Sequence, residues 1–89
     1  MKGRAVEALD ERSIKTLVEY IITALVDNPD SILIAERSGP NTTIIELAVA
    51  KEDIGKVIGK EGRTISAIRT IINAAGASQK RRLVLEVMG

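Results

Sequence analysis

Apolar residues near the start of the chain recur at intervals of three and four positions, the spacing along one face of an α-helix. Asp10 and Ser13 precede or open this run and are residue types that cap a helix start. Pro29 disfavours helical geometry in the residue before it, so the helix should end at residues 27–29. We therefore predict one amphipathic helix whose apolar face consists of Ile14, Leu17, Val18, Ile21, Ile22, Leu25 and Val26.

The pattern then changes to alternation of apolar and polar residues, which is typical of a half-buried β-strand. Two such runs cover residues 31–37 and 42–49, and the Ser-Gly-Pro-Asn sequence at 38–41 favours a tight reversal between them. The same alternation returns at residues 83–88. These patterns predict a β-hairpin and a third strand, enough for a sheet that covers the apolar face of the helix.

Two further helical patterns lie between the hairpin and the third strand and meet at a pair of glycines, Gly59 and Gly62. Residues 74–79 are expected to connect the second of these helices to the last strand. The predicted order is α-β-β-α-α-β, an α+β domain with a three-stranded sheet packed against three helices. The apolar positions that carry the two patterns are Ile54, Val57 and Ile58 before the glycines, and Ile65, Ile68, Ile72 and Ala75 after them.

The two glycines predict a turn that suits an anion. Gly59 and Gly62 permit backbone angles that are closed to other residues, and without side chains they allow a sugar-phosphate strand to approach closely. The helix that follows begins with unpaired amides and the positive end of its dipole. Lys60 and Arg63 add positive charge, and Glu61 adds one negative charge beside them.

Composition narrows the classes of function. The chain has 89 residues, which suits one domain, and it contains neither cysteine nor histidine. The commonest nucleophile, general base and transition-metal ligands are therefore missing, so we expect no enzyme, no metal site, no cofactor and no small-molecule substrate. Tyr20 is the single aromatic residue, which argues against a stacking platform. We expect Tyr20 to be partly buried in the first helix.

The net charge of +1 is unevenly distributed. Residues 1–50 carry five basic and eight acidic side chains, whereas residues 51–89 carry eight basic and four acidic ones. The positive half contains the glycine pair, with Arg69 nearby and a second cluster at residues 80–82, Lys-Arg-Arg. This distribution predicts an electrostatic track for a polyanion, although the second cluster is equally explained as protection of an edge strand.

Residues 57–68, Val-Ile-Gly-Lys-Glu-Gly-Arg-Thr-Ile-Ser-Ala-Ile, resemble the GXXG loop of KH domains. The predicted element order is similar to the type II arrangement of that fold, and residues 50–65 resemble the signature of the KhpA family of small bacterial RNA-binding proteins. On this resemblance the KH domain spans residues 13–89, with its GXXG loop at 59–62. Residues 1–12 lie outside it as an N-terminal segment that is expected to be flexible.

The resemblance implies binding of single-stranded RNA, about four nucleotides per domain. It also implies a homodimer, or pairing with a larger KH-containing protein of the KhpB type (also called Jag or EloR). The implied role is that of an RNA chaperone or post-transcriptional regulator linked to cell elongation and peptidoglycan homeostasis. Ile45 or Leu47 would face the bases from the neighbouring strand, or would belong to the core, as aliphatic side chains at such positions more often do. The implied RNA-binding residues are Lys56, Ile58, Gly59, Lys60, Glu61, Gly62, Arg63, Thr64 and Ile65.

The glycine motif has other interpretations. Residues 55–61 superficially resemble a nucleotide-binding P-loop, but only three residues separate the glycines and Glu61 stands where Ser or Thr is needed. A DNA-binding helix-turn-helix would present polar side chains, whereas the second helix offers mainly isoleucine and alanine. The main alternative is a KH-fold dimerisation or protein-interaction module with weak or no RNA binding. No signal core or membrane-length apolar run occurs, so we expect a cytoplasmic protein without membrane contact.

Overall fold

The predicted order of elements is confirmed in the computed structural model, which describes residues 11–88. Short 3₁₀ turns at Pro29–Ser31, Lys51–Asp53 and Lys60–Gly62 lie between the main elements. The helices and strands are α1 (Glu11–Leu25), β1 (Leu33–Ser38), β2 (Thr42–Ala48), α2 (Ile54–Ile58), α3 (Arg63–Ser78) and β3 (Arg82–Met88).

The sheet has the strand order β1-β2-β3, with β2 in the centre. Strands β1 and β2 form the predicted antiparallel hairpin, in which Arg37 lies opposite Ile44. Strands β2 and β3 are parallel, with Ile45 opposite Leu85. Parallel neighbours require a long crossover, and α2 and α3 supply it. The two helices that flank the glycine pair are therefore held against the sheet by the topology itself.

The helices cover one face of the sheet. Along β2, buried Thr43, Ile45 and Leu47 alternate with residues that are only partly buried, as expected when one face is covered. All three helices and both strands β2 and β3 contribute to a single core, so no element is stable by itself. Its buried apolar members are Ile14, Val18, Ile22, Val26, Ile45, Leu47, Val57, Ile65, Ile68, Ile72, Leu83 and Leu85.

Several predicted boundaries shift. The first strand begins at Leu33 because a 3₁₀ turn occupies residues 29–31. Residues 74–78, predicted as a connection, belong to α3, which continues because Gly76 lets the helix lie directly on the start of β3. Residues 11 and 12, assigned to the N-terminal segment, belong to α1. Residues 1–10, including Asp10, and the side chain of Ser13 lie outside the described part of the chain.

The expectation that Tyr20 is partly buried is wrong. The side chain of Tyr20 is 77% exposed, because it lies on the opposite side of α1 from the core-facing residues Val18 and Ile22. Among the described residues, nothing beyond the immediate neighbours of Gly55 lies within 4 Å of the position that its Cβ would take, so Gly55 is not needed for packing.

Candidate nucleic-acid interface

The glycine pair forms a tight turn between α2 and α3. Gly59 ends α2 and donates its amide to the carbonyl of Gly55 at 2.8 Å. Gly62 donates to the carbonyl of Gly59 at 3.1 Å, which closes the turn, and α3 begins at the next residue. Both glycines have positive φ, +80° at Gly59 and +74° at Gly62, so the prediction that they carry special backbone angles is confirmed.

The two glycines are required for different reasons. A Cβ at Gly59 would overlap the Thr64 hydroxyl and lie 2.6 Å from Thr64 Cβ. The space that a side chain at Gly59 would occupy is therefore filled by Thr64, so glycine is required there for packing. At Gly62, nothing in the described part of the chain, apart from its immediate neighbours, comes within 4 Å of the place where a Cβ would stand. The backbone of Gly62 therefore faces open space within the described part of the chain.

The turn contains a third residue with positive φ that the sequence pattern did not single out. Glu61 has φ 56° and ψ 25°, a left-handed conformation that is uncommon for a residue other than glycine. A negative φ at Lys60 followed by a positive φ at Glu61 is the alternation that turns successive amides toward one concavity, an arrangement that binds anions. Among the described side chains none caps the start of α3, so its first-turn amides also face this region.

Acidic side chains accompany the basic residues around this turn. Arg63 Nη2 lies 3.3 Å from Glu61 Oε1, and Lys56 Nζ lies 3.4 Å from Asp27 Oδ2. Both pairs are largely exposed, a setting in which ion pairs contribute about 0–1 kcal/mol. Lys60 is exposed at the tip. The turn is therefore positive but partly neutralised by its own carboxylates.

A buried carboxylate fixes the position of α2. Asp53 is fully buried and accepts hydrogen bonds from the amides of Asp27 (3.2 Å) and Asn28 (2.9 Å) and from Asn28 Nδ2 (3.0 Å). Burial by itself raises the pKa of Asp53, but the Asn28 side chain, the two amides and Lys56 together hold that pKa below its ordinary value. Asp53 thus ties the end of α1 to the start of α2. Sequence reasoning missed it, since a lone aspartate before a helix usually indicates a cap.

The predicted apolar site residues lie mostly in the core. Ile58 is partly buried and packs against the core, and it keeps some accessible surface beside the turn. Ile65 is 5% exposed, so it supports the turn from inside. Ile45 and Leu47 are fully buried, and the expectation that they face a bound strand is wrong, because their side chains point from the central strand toward the helices.

A groove of about 460 Å³ runs between α3 and β3. It is reached from the turn along α3, because Arg69 lies six residues after the start of the helix, about 9 Å at 1.5 Å per residue. Arg69 donates from Nη2 (3.2 Å) and Nε (3.4 Å) to the backbone carbonyl of Leu85. The groove is lined by Arg69, Ile72, Asn73, Arg82, Leu83, Val84, Leu85 and Glu86.

Strand β3 is an edge strand, and its outer peptide groups face this groove. Arg82 donates its amide to the carbonyl of Asn41 on the β2 side, whereas the carbonyl of Leu85 meets Arg69 on the other side. Peptide groups of alternate residues point to the same edge, so those of Leu83, Leu85 and Val87 face outward. Sequence reasoning predicted the strand but not this role, because an edge is defined by the strand order.

The basic run at residues 80–82 serves two different purposes. Arg81 donates to the Thr43 hydroxyl (2.8 Å from Nη2) and to the carbonyls of Gly39 (3.1 Å) and Pro40 (3.4 Å), so it fastens the hairpin turn. Arg82 lines the groove. The run follows the C-terminal end of α3, a helix of 16 residues and about 24 Å that begins at the glycine turn. Arg69 and Arg82 extend the positive track along the groove.

Within the described residues, no helix is long and apolar enough to cross a membrane. The same part of the chain contains no group of three or more acidic side chains placed to hold a metal ion.

A family model described as "KhpA/KhpB, KH domain" matches residues 15–87. Three similar curated proteins all bear the name "RNA-binding protein KhpA". The relative from Caldanaerobacter subterraneus subsp. tengcongensis is 51% identical over 81% of this chain and 96% of its own length. Those from Halalkalibacterium halodurans and Chlamydia pneumoniae are 49% and 51% identical over 83% of this chain and 97% and 95% of theirs. No solved structure matches the chain at a significant level.

Proposed function

The chain belongs to the KhpA/KhpB family of KH domains, and we propose that it binds single-stranded RNA with the glycine turn and the groove between α3 and β3. The proposal rests on the observation that the glycine turn and the groove are continuous along α3. A turn with inward-facing amides and positive side chains opens α3, and the same helix leads into a groove beside the outer edge of β3. The first part suits phosphate, and the second suits bases.

The groove favours single strands over duplexes. Its polar groups are the Asn73 side chain, the Arg69 guanidinium and the outer peptide groups of β3, which hydrogen-bond with base edges. Bases in a duplex are stacked and paired, so these groups reach them only in a splayed strand. The groove has no aromatic platform, and its floor is formed by the core residues Ile72 and Leu83, which are almost fully buried. Lys60, Arg63 and Lys56 contact phosphates in this proposal, Gly62 allows their close approach, and Ile58 borders the first base.

The finer role follows the family resemblance. We propose that the protein acts in the cytoplasm as an RNA chaperone or post-transcriptional regulator, in a homodimer or with a larger KH protein of the KhpB type. The proposed process is cell elongation and peptidoglycan homeostasis. Pairing has a physical rationale, since one short site binds weakly and two linked sites gain effective concentration on one RNA.

The test is fluorescence anisotropy of a labelled eight-nucleotide RNA over a salt series. If about three phosphates are contacted, log affinity should fall with log salt at a slope of about −2. A Lys60→Asp, Glu61→Asp variant should bind more weakly with a shallower slope. Aspartate tolerates the left-handed conformation of Glu61, so the turn keeps its shape, which circular dichroism would check. Equal binding by folded wild type and variant would remove the turn from the site.

Two adjacent arginines, Arg81 and Arg82, allow a separate test of the role of the groove. Arg82→Ala should weaken RNA binding and leave the urea midpoint unchanged, because Arg82 lines the groove. Arg81→Ala should lower the urea midpoint, because it loses the hydrogen bonds that fasten the hairpin turn. The reverse result would place the bound strand elsewhere.

A second candidate function is a protein-interaction module, favoured by the outer face of the sheet. Leu33 of β1 is 71% exposed and lies in one row with Ala48 and with the half-exposed Met88. Exposed apolar rows of this kind mark interaction surfaces. Sedimentation of Leu33→Lys, Met88→Lys would decide: loss of self-association with unchanged RNA binding would assign the row to dimerisation, whereas an unchanged sedimentation coefficient would leave this candidate without support.

A further inference from the structure

The glycine turn carries its own competitor for phosphate. Arg63, the first residue of α3, points its guanidinium at Glu61, two residues earlier in the same turn. We propose that Glu61 occupies the phosphate-binding position of Arg63 in the free protein and thereby sets the affinity and the salt dependence of RNA binding. This inference rests on the proposed function of the turn.

The backbone of Glu61 is the first argument. A left-handed conformation is strained for an ordinary residue, and glycine would adopt it without that strain. Glu61 nevertheless stands there, between Lys60 and Gly62. Such a conformation, maintained at a turn with a charged side chain, points to a function of that side chain rather than to packing, because Glu61 is exposed.

The exposure of the ion pair is the second argument. The side chains of Arg63 and Glu61 are 78% and 68% exposed, so water and salt screen their attraction and the bond is easily exchanged. A phosphate can therefore replace the carboxylate on Arg63. The displaced carboxylate stays beside the bound phosphate and repels it, so Glu61 opposes binding both before and after the exchange.

The Lys56 pair differs in placement. Asp27 lies at the end of α1, outside the turn, and Lys56 also faces the buried carboxylate of Asp53, as its effect on the pKa of that group indicates. Removing Asp27 would leave Lys56 near a second carboxylate. Glu61 is therefore the carboxylate whose removal changes the turn most directly.

The experiment measures RNA binding by Glu61→Gln with the eight-nucleotide probe. Glutamine keeps the length and the left-handed cost of Glu61 but lacks its charge. Affinity should rise about two- to fivefold, the range that an exposed ion pair represents. The slope of log affinity against log salt should steepen by about 0.7, one additional phosphate neutralised. Glu19→Gln, an equal charge change on the exposed face of α1, should have a much smaller effect.

The pairing with Arg63 is tested by a double-mutant cycle. In an Arg63→Gln background the gain from Glu61→Gln should shrink markedly, because no guanidinium remains to be released. An undiminished gain in that background, or equal binding by wild type and Glu61→Gln, would overturn the inference while RNA binding itself stood. If neither wild type nor Glu61→Gln bound RNA at low salt, both the inference and the proposed function would be overturned.

Discussion

Residues of the same type in and around the turn have different structural roles. Gly59 has ψ 169° with φ +80°, a region that is nearly exclusive to glycine, whereas Gly62 has the ordinary left-handed values of +74° and 14°. Gly59 is also closed in by Thr64, and Gly62 faces open space. The two glycines of the motif are therefore not equivalent, and substituting each of them should change the stability of the fold by a different amount.

Gly59→Ala should destabilise the fold far more than Gly62→Ala. The alanine at position 59 combines a forbidden conformation with overlap on Thr64, a cost of about 3 kcal/mol or more. At position 62 only the left-handed penalty applies, about 1–2 kcal/mol. Urea unfolding measures both. Thr64→Ala in the Gly59→Ala background should restore part of the loss, and the absence of any rescue would show that overlap with Thr64 is not a cause.

Asp53 should make stability depend on acid pH. Its pKa in the folded protein lies below the ordinary 3.8, so its stabilising contribution is complete above that value and is lost as the pH falls through the folded-state pKa. Asp53→Asn should lower the urea midpoint at pH 7, because the amide nitrogen cannot accept the hydrogen bonds that one of the two carboxylate oxygens accepts. It should also flatten the decline below about pH 4. Exposed Asp30→Asn serves as the control, and parallel pH profiles for wild type and Asp53→Asn would contradict this role.

At the scale of elements, the junction of α3 and β3 decides the shape of the groove. The helix continues to Ser78, and the carbonyl of Gly76 accepts the amide of Arg81 at 2.9 Å as the chain turns back. The helix can approach the strand here because Gly76 has no side chain. The same close approach aligns Asn73 and Arg69 with the outer edge of β3.

Gly76→Ala should disturb this junction. The added methyl would lie 2.8 Å from the carbonyl oxygen of Arg81 and 2.8 Å from Leu83 Cγ, and the backbone contact cannot move independently. We expect a loss of about 1–3 kcal/mol in unfolding free energy. Gly55→Ala is the matched control: it lies in exposed α2 with open space around it and should stabilise by up to about 1 kcal/mol. Equal effects would mean that Gly76 does not mediate the contact.

The whole molecule has one hydrophobic core, a positively charged end that contains the glycine turn, and one sheet face that α1, α2 and α3 do not cover. The positively charged half of the sequence becomes α2, α3 and β3, which frame the turn and the groove. The hairpin turn that Arg81 fastens lies beside the far end of α3. Since every helix contributes to the same core, the turn should lose its shape only when the whole domain unfolds.

Ile72→Ala and Ile71→Ala test that cooperativity with two neighbours of one helix. Ile72 is 1% exposed and belongs to the core, so its truncation should cost about 2–5 kcal/mol. Ile71 is 48% exposed and should cost less than about 1 kcal/mol. Helicity by circular dichroism and RNA binding should be lost at the same urea concentration in each variant. Separate transitions would show that the turn and the core unfold independently.

The sequence by itself determined the order of elements, the hairpin and the glycine turn. These depend on interactions between residues close in the chain: apolar periodicity for α1, turn chemistry at residues 38–41, and the freedom of Gly59 and Gly62 at positive φ. Such signals depend on residues that are close in the chain and can therefore be recognised from the sequence alone. The positions of Lys60 and Arg63 beside the turn follow from the same proximity.

Tertiary structure alone decided which groups form the groove and which are committed elsewhere. The strand order makes β3 an edge strand. Arg81 hydrogen-bonds to Thr43 in the hairpin, 38 residues away in the sequence, whereas its neighbour Arg82 lines the groove. The hydrogen-bond donors to Asp53 lie about 25 residues earlier in the sequence. Long-range packing brings these groups together, and no local pattern records it.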